Sequence, residues 1–132
     1  METIKLDTHG LTPTDLAYVA GFVDGEGCLY TEKSNARLEI TNTNPHILLW
    51  VASKFGGSIR ICNKTTVNRR ACWRYVALGS TATTICKLVA PWLKYKKRQA
   101  ELLLKYSGYP KNSAMRQYIH RELKDLKRIN YG

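Results

Sequence analysis

An α+β domain with one four-stranded antiparallel sheet is predicted by three features of this sequence. Two pairs of adjacent segments alternate apolar and polar residues with the two-residue period of strands. Stretches between the pairs open on a capping residue followed by proline, or on a capping serine, as helices do. Glycine pairs and Ser-Asn or Asn-rich turns separate them. The resulting order is helix, two strands, helix, two strands, helix, then C-terminal helices. The 132 residues fit a single domain, 1–132, and the 44% hydrophobic content is enough for a real core.

In chain order, Thr12-Pro13-Thr14-Asp15 opens the first helix, with Thr12 as cap, Pro13 in the first position and Asp15 three residues after the cap. That helix reads over 16–24 and stops in Gly25-Glu26-Gly27. A strand is expected over 28–33, a turn at Ser34-Asn35, and a second strand over 36–42, where Leu38 and Ile40 alternate with Arg37, Glu39 and Thr41. Asn44-Pro45 starts a second helix that runs to Phe55 and ends at Gly56-Gly57. The second strand pair spans 58–63 and 71–78 around a polar, basic loop at 64–70. Ser80 is expected to cap a third helix ending near Pro91, and helices follow over 96–106 and 113–128. The last carries Met115, Ile119, Leu126 and Ile129 as its apolar stripe. One sheet face should be covered by helices, leaving the other polar and basic.

Charge is the strongest compositional signal. The formal net charge is +11. Residues 1–30 hold five acids, Glu2, Asp7, Asp15, Asp24 and Glu26, against one base, Lys5. From 40 to 100 there is no acid, while Lys54, Arg60, Lys64, Arg69, Arg70, Arg74, Lys87, Lys94, Lys96, Lys97 and Arg98 accumulate. A field of one sign repels itself unless a polyanion lies against it, so nucleic acid is the expected partner. No apolar run reaches the roughly 20 residues of a membrane span, so no membrane partner is expected. The polar start METIKLDTHG resembles neither a signal nor a transit peptide, and the protein is expected to be soluble and intracellular. Cys28, Cys62, Cys72 and Cys86 make no C-x-x-C pair, so no zinc site is expected and they are read as reduced thiols, mostly in or near the core.

The segment LAYVAGFVDGEG at 16–27 is an unusual helix. Ala17, Gly21 and Gly25 recur every four residues and share a face. Glycine in a helix costs about 1 kcal/mol relative to alanine, a cost tolerated where another backbone must come close. Asp24 and Glu26 then place two carboxylates at the negative end of the helix dipole, where they are disfavoured unless a cation offsets them.

Residues 19–27 resemble the defining motif of the LAGLIDADG homing endonucleases, with Glu26 standing for the second aspartate. The αββαββα order and the segment PWLKYKKRQA at 91–100 extend the resemblance to about 11–106, with 107–132 as a C-terminal helical extension. The resemblance implies that Glu26 binds the metal, that the Gly25 carbonyl completes its shell, and that Asp24 is chiefly structural. It implies that Asn42 orders water near the scissile phosphate and that Lys96 is the catalytic lysine. Lys94 and Lys97 stand beside Lys96 as alternatives, and plainer readings are a strand-end residue for Asn42 and a phosphate contact for Lys96. Magnesium is the implied cofactor, with manganese or calcium able to substitute in binding, and no organic cofactor is implied. Ala17 and Gly21 would form the helix face of a homodimer. The implied activity is cleavage of both strands of a long pseudo-palindromic DNA site with 3′ overhangs. The implied setting is an organelle or a bacterial or phage cytoplasm. His9, His46 and His120 lie outside the motif and are read as ordinary surface or core residues.

A two-stranded ribbon fits the major groove, and alternate residues on its outer face reach base edges. Candidates on the first hairpin are Tyr30, Glu32, Lys33, Asn35, Arg37 and Glu39; on the second, Arg60, Asn63, Lys64, Asn68, Arg69, Arg70 and Arg74. Lys94, Lys97 and Arg98 are expected on phosphates. The alternatives are a cleavage-inactive DNA-binding regulator or intron RNA maturase on the same fold, and a general RNA-binding domain that stacks bases on Tyr30, Trp73 and Tyr75.

Overall fold

The computed structural model describes residues 8–63 and 71–131. Helix α1 (Pro13–Glu26) opens on a reciprocal cap: Thr12 Oγ1 accepts from Asp15 N and Asp15 Oδ2 accepts from Thr12 N, both at 3.1 Å. The helix runs two residues past the expected end at Asp24, through Gly25 and Glu26. Gly27 stops it. Its N–H bonds to the Val23 carbonyl, and a Cβ at 27 would sit 2.5 Å from that oxygen, so only glycine can make the sharp exit into the first strand.

Strands β1 (Gly27–Glu32) and β2 (Asn35–Asn42) form a hairpin closed by Lys33 and Ser34, one residue earlier than the expected turn. Both turn residues have positive φ, 50° and 66°, which matches the right-handed twist of the flanking strands. Helix α2 (Pro45–Phe55) follows, with Asn44 Oδ1 accepting from His46 N at 2.9 Å. Strands β3 (Ser58–Asn63) and β4 (Cys72–Leu78) make the second hairpin. Helix α3 (Ser80–Val89) has Gly79 as its N-cap with no side-chain cap bond, so Ser80 lies inside the helix rather than capping it. A 3-10 turn (Ala90–Trp92) leads to α4 (Lys97–Ser107) and α5 (Ala114–Tyr131).

The sheet order is β1-β2-β4-β3, antiparallel throughout, so β2 and β4 are central. Leu29, Leu38, Ile40, Tyr75 and Ala77 project from one face into a core shared with Val19, Ala20 and Val23 of α1, Ile85 and Val89 of α3, and Leu103 of α4. Each large aliphatic side chain so buried contributes about 1.5–3 kcal/mol. The alternate residues, among them Tyr30, Arg37, Glu39, Arg60 and Arg74, fall on the opposite face. Helix α5 borders β1 at the sheet edge, where Lys127 Nζ lies 3.1 Å from Cys28 Sγ. Its stripe differs from the expected one: Ile119 and Leu123 are buried and Leu126 packs on them, whereas Met115 is exposed and the side chain of Ile129 lies outside the described residues. Leu123 and Leu126 lie four and seven residues after Ile119, about 40° and about 20° from it around the helix, so the three share one face.

Two of the four cysteines are not reduced thiols. Cys62 and Cys72 form a disulfide, with Cα atoms 5.4 Å apart. The β3–β4 register shifts between Ile61 and Asn63, which leaves Cys62 out of the ladder and beside Cys72. Spacing along the chain carries no trace of that bulge. Cys28 and Cys86 are free, the latter buried. Among the described residues no helix is long and apolar enough to cross a membrane.

Candidate active site

Three segments converge on the C-terminal end of α1. Asp24 reaches across to the residues just before α4, where its carboxylate accepts from three consecutive backbone N–H groups. Those are Lys94 N at 2.8 Å, Tyr95 N at 3.1 Å and Lys96 N at 2.8 Å. Such charge-assisted bonds are worth about 1.5–3 kcal/mol each. The Lys96 side chain returns along the same path and donates from Nζ to the Asp24 carbonyl oxygen at 2.8 Å. Lys96 is only 6% exposed. Burial holds its ammonium below the ordinary pKa of 10.5, while the charge of Asp24 pulls the other way. Lys96 thus donates to Asp24 twice, from its backbone N–H to the Asp24 side chain and from its side chain to the Asp24 backbone.

Glu26 has different surroundings. It is exposed at the last position of α1, and its Oε2 accepts from Asn42 Nδ2 at 2.9 Å. Asn42 ends β2, and its Oδ1 accepts from Asn44 N at 2.8 Å. That second bond decides which way the amide faces, since only its oxygen can accept from a backbone N–H. The NH2 group therefore points at Glu26. One carboxylate edge is oriented by β2 and the cap of α2, and the rest of the group faces solvent.

The donor set suits a hard divalent cation: an exposed carboxylate at Glu26, and at Gly25 a backbone carbonyl in the final turn of a helix, where carbonyls lack intrahelical partners. Among the described residues no three His, Cys, Asp or Glu side chains cluster as a metal site. Beside Glu26, the outer face of α1 forms a shallow hollow of about 440 Å³ lined by Ala17, Tyr18, Gly21, Phe22 and Gly25. A Cβ added at Gly21 or Gly25 would meet nothing within 4 Å. Among the described residues nothing requires glycine at either place.

No family model and no curated protein matches the chain. Solved structures do match. The homing endonuclease I-CvuI, in complex with its target in the presence of calcium, aligns with a TM-score of 0.66 and 22% identity over 86% of this chain and 82% of that one. The same values hold for I-CvuI in complex with the I-CreI target in the presence of magnesium, with the DNA not cleaved. The archaeal intron-encoded homing endonuclease I-Vdi141I, complexed with DNA, aligns with a TM-score of 0.54 and 15% identity over 86% of this chain and 97% of that one. This is the fold of the LAGLIDADG homing endonucleases.

On this LAGLIDADG fold the remaining expected site residues separate by position. Of the three lysines in the 94–97 segment, Lys94 and Lys97 are exposed and only Lys96 is turned into the end of α1. Arg98 is exposed and pairs with Glu122 of α5 at 2.9 Å. Lys33 and Asn35 are exposed at the tip of the first hairpin, Arg60 on β3 and Arg74 on β4. Expectations on Lys64, Asn68, Arg69, Arg70 and the side chain of Asn63 lie outside the described residues. Tyr75 does not lie on the open face as a stacking platform. It is fully buried, and its hydroxyl donates to the Gly56 carbonyl at 2.7 Å.

Other features were not legible in advance. Glu39, expected as an exposed reader, is only 8% exposed and sits among Tyr30, Arg37 and Arg74. His120 of α5 bonds through Nδ1 to Thr31 of β1, and Arg116 donates to the Ser34 and Tyr106 carbonyls, so α5 is fastened to the first hairpin. The basic character of α5 could have marked it as a partner of the sheet edge; the identity of its contacts depends on a register that sequence does not carry.

Proposed function

We propose that this chain is one subunit of a homodimeric, divalent-metal-dependent endonuclease that cuts both strands of a long pseudo-palindromic DNA site and leaves 3′ overhangs. The observation that carries the reading is the oriented, solvent-facing Glu26 beside a helix face whose glycines its own subunit does not need. A second copy of α1, packed on Ala17, Gly21 and Gly25 about a two-fold axis, supplies the missing backbone and brings the second Glu26 to the centre. The fold likeness to homing endonucleases solved with DNA supports the same reading.

Glu26 and the Gly25 carbonyl would hold the cation, magnesium in the working enzyme, with manganese or calcium able to support binding. Bound there, the ion supplies Lewis-acid stabilisation of charge on the reacting phosphate. Asn42 orients the Glu26 carboxylate and keeps an amide beside the phosphate. Lys96 places a partly desolvated cation on the other side of the α1 terminus, held there by Asp24. The acid-free, eleven-base stretch from 40 to 100 supplies the charge for backbone contacts, with Lys94 and Lys97 as phosphate ligands and Arg60 and Arg74 facing the bases.

The test is supercoiled plasmid carrying a selected site, incubated with purified protein in magnesium, in calcium and in EDTA. Linear product is expected in magnesium alone, and calcium should support a shifted complex without cutting. Light scattering of the complex should give two chains per site. Specific binding without cutting in any divalent metal would reassign the protein as a regulator, and a mass of one chain in an active complex would overturn the dimer.

A further inference from the structure

Glu39 occupies an unexpected place for an acid. It lies on β2, opposite Cys28 of β1 and Val76 of β4, in the middle of the face that the proposed function turns toward DNA. A bare carboxylate there would repel phosphates. Glu39 is not bare. Its Oε2 accepts from the Tyr30 hydroxyl and from Arg37 Nε at 3.2 Å, and its Oε1 lies 3.1 Å from Arg74 Nε. The Tyr30 hydroxyl of β1 and Arg37 of β2 itself thus donate to one oxygen, and an ion pair with Arg74 of β4 engages the other, which leaves the carboxylate poorly placed to read a base.

The two arginines are used differently. Arg37 spends Nε on Glu39 and Nη1 on Glu32 at 3.1 Å, and its side chain is 17% exposed. Arg74 is engaged through Nε, and its side chain is 44% exposed. An arginine gripped at Nε keeps both terminal nitrogens as a planar fork, the shape that matches the O6 and N7 acceptors of guanine. An unbraced arginine on a flat sheet must give up its rotamer freedom when it binds; a braced one has already done so.

We infer that Glu39 is a positioning residue: it holds Arg74 by Nε so that the terminal nitrogens form a preset fork for a guanine edge in the target, with Tyr30 and Arg37 fixing the carboxylate in turn. The inference rests on the sheet being the DNA-reading face. Glu39 supplies specificity through Arg74 and touches no base itself.

Binding across a library of single-base variants of the site distinguishes the possibilities, using wild type, Arg74→Ala, Glu39→Gln, Glu39→Asp and the Arg74→Ala/Glu39→Gln double variant. Arg74→Ala should flatten preference at one base pair per half-site by about 10- to 100-fold. Glu39→Gln should flatten the same base pair by about tenfold, and its affinity for unrelated DNA should hold or rise because a negative charge has gone. Glu39→Asp keeps the charge but withdraws the carboxylate by one methylene, and should flatten the same position. The double variant should match Arg74→Ala alone. Relaxation by Glu39→Gln at a different base pair would make Glu39 a direct reader and overturn the inference. So would a loss equal on all sites accompanied by a lower melting temperature. If Arg74→Ala relaxes a base pair and neither Glu39 variant does, the inference alone fails. If wild type shows no sequence preference, the assignment of the sheet as reader fails with it.

Discussion

Asp24 and Glu26 stand two residues apart in the last turn of α1, and the fold treats them in opposite ways. Three backbone N–H groups and a returning lysine close around Asp24. Glu26 receives one amide and otherwise faces solvent. A carboxylate whose lone pairs are filled by the protein can hold a structure together but has little left for a metal or substrate. One with a single oriented edge and open coordination can do chemistry at small cost to stability. The helix turns about 100° per residue, so two positions suffice to aim one acid at the segment before α4 and the other at the end of β2.

The largest effect that would sharpen this comparison is on catalysis. Glu26→Gln keeps the shape and an acceptor for Asn42 but removes the charge that would retain a hard cation under the proposed function. Loss of several kcal/mol of charge stabilisation corresponds to a fall in cutting of about 10³-fold or more. Melting temperature and DNA affinity should stay near wild type, because exposed substitutions usually shift stability by no more than about 0.5 kcal/mol. Plasmid cleavage and thermal melts on one preparation check both halves. Unchanged cutting would break the assignment of Glu26.

Asp24→Asn should show the reverse balance. The amide can accept from some of the three N–H groups, but its own NH2 now confronts donors, and the charge assistance is gone. A stability loss of about 2–4 kcal/mol is expected from losing charge-assisted bonds and leaving a donor unsatisfied. Activity should fall as well, because Lys96 loses its anchor. Denaturant melts test this; a midpoint equal to wild type would remove the contrast between the two acids.

Asn42→Ala probes the single bond on which the orientation of Glu26 depends. A net hydrogen bond is worth about 1 kcal/mol, so cleavage should fall about fivefold to tenfold, far less than for Glu26→Gln. Single-turnover rates at saturating magnesium are the measurement. A loss as large as that of Glu26→Gln would mean that Asn42 acts directly on the reaction.

Much of this arrangement is legible in the sequence where the cause is local. The Thr12-Pro13 and Asn44-Pro45 starts, the Gly56 stop and the alternation around Leu38 and Ile40 each depend on residues within a few positions. The pairing of Asp24 with 94–96 spans about 70 residues, and only the assembled fold brings those backbone donors to the acid. The burial of Glu39 and the Cys62–Cys72 bridge depend on strand register, including one bulge, and a one-residue slip would reverse every face. Gly25 does not end α1, because glycine weakens a helix without forbidding it. What ends α1 is the turn to extended backbone at Gly27, so close to the Val23 carbonyl that a Cβ would not fit.

The smallest expected effect concerns Lys96, the partner that Asp24 has and Glu26 lacks. Burial lowers the Lys96 pKa in the folded protein below its ordinary value of 10.5. At neutral pH it is protonated in both states, and the folded state bears the cost of a partly desolvated charge. As pH rises through the lowered folded value, the folded protein releases its proton first, so the unfolded chain binds more protons and stability rises with pH. The gain is complete once pH passes the unfolded value. Tyr30 and Tyr75 act with the opposite sign in that range: burial raises both, Tyr75 to about 12, so the unfolded chain ionises them first and stability falls. Their contribution is common to wild type and Lys96→Met and cancels in the difference. The stability of wild type minus that of Lys96→Met should therefore climb as pH rises toward the ordinary lysine value of 10.5, followed by chemical denaturation at each pH. A difference that stays flat would mean that Lys96 is as well solvated as Glu26, and that only the backbone donors separate the two acids.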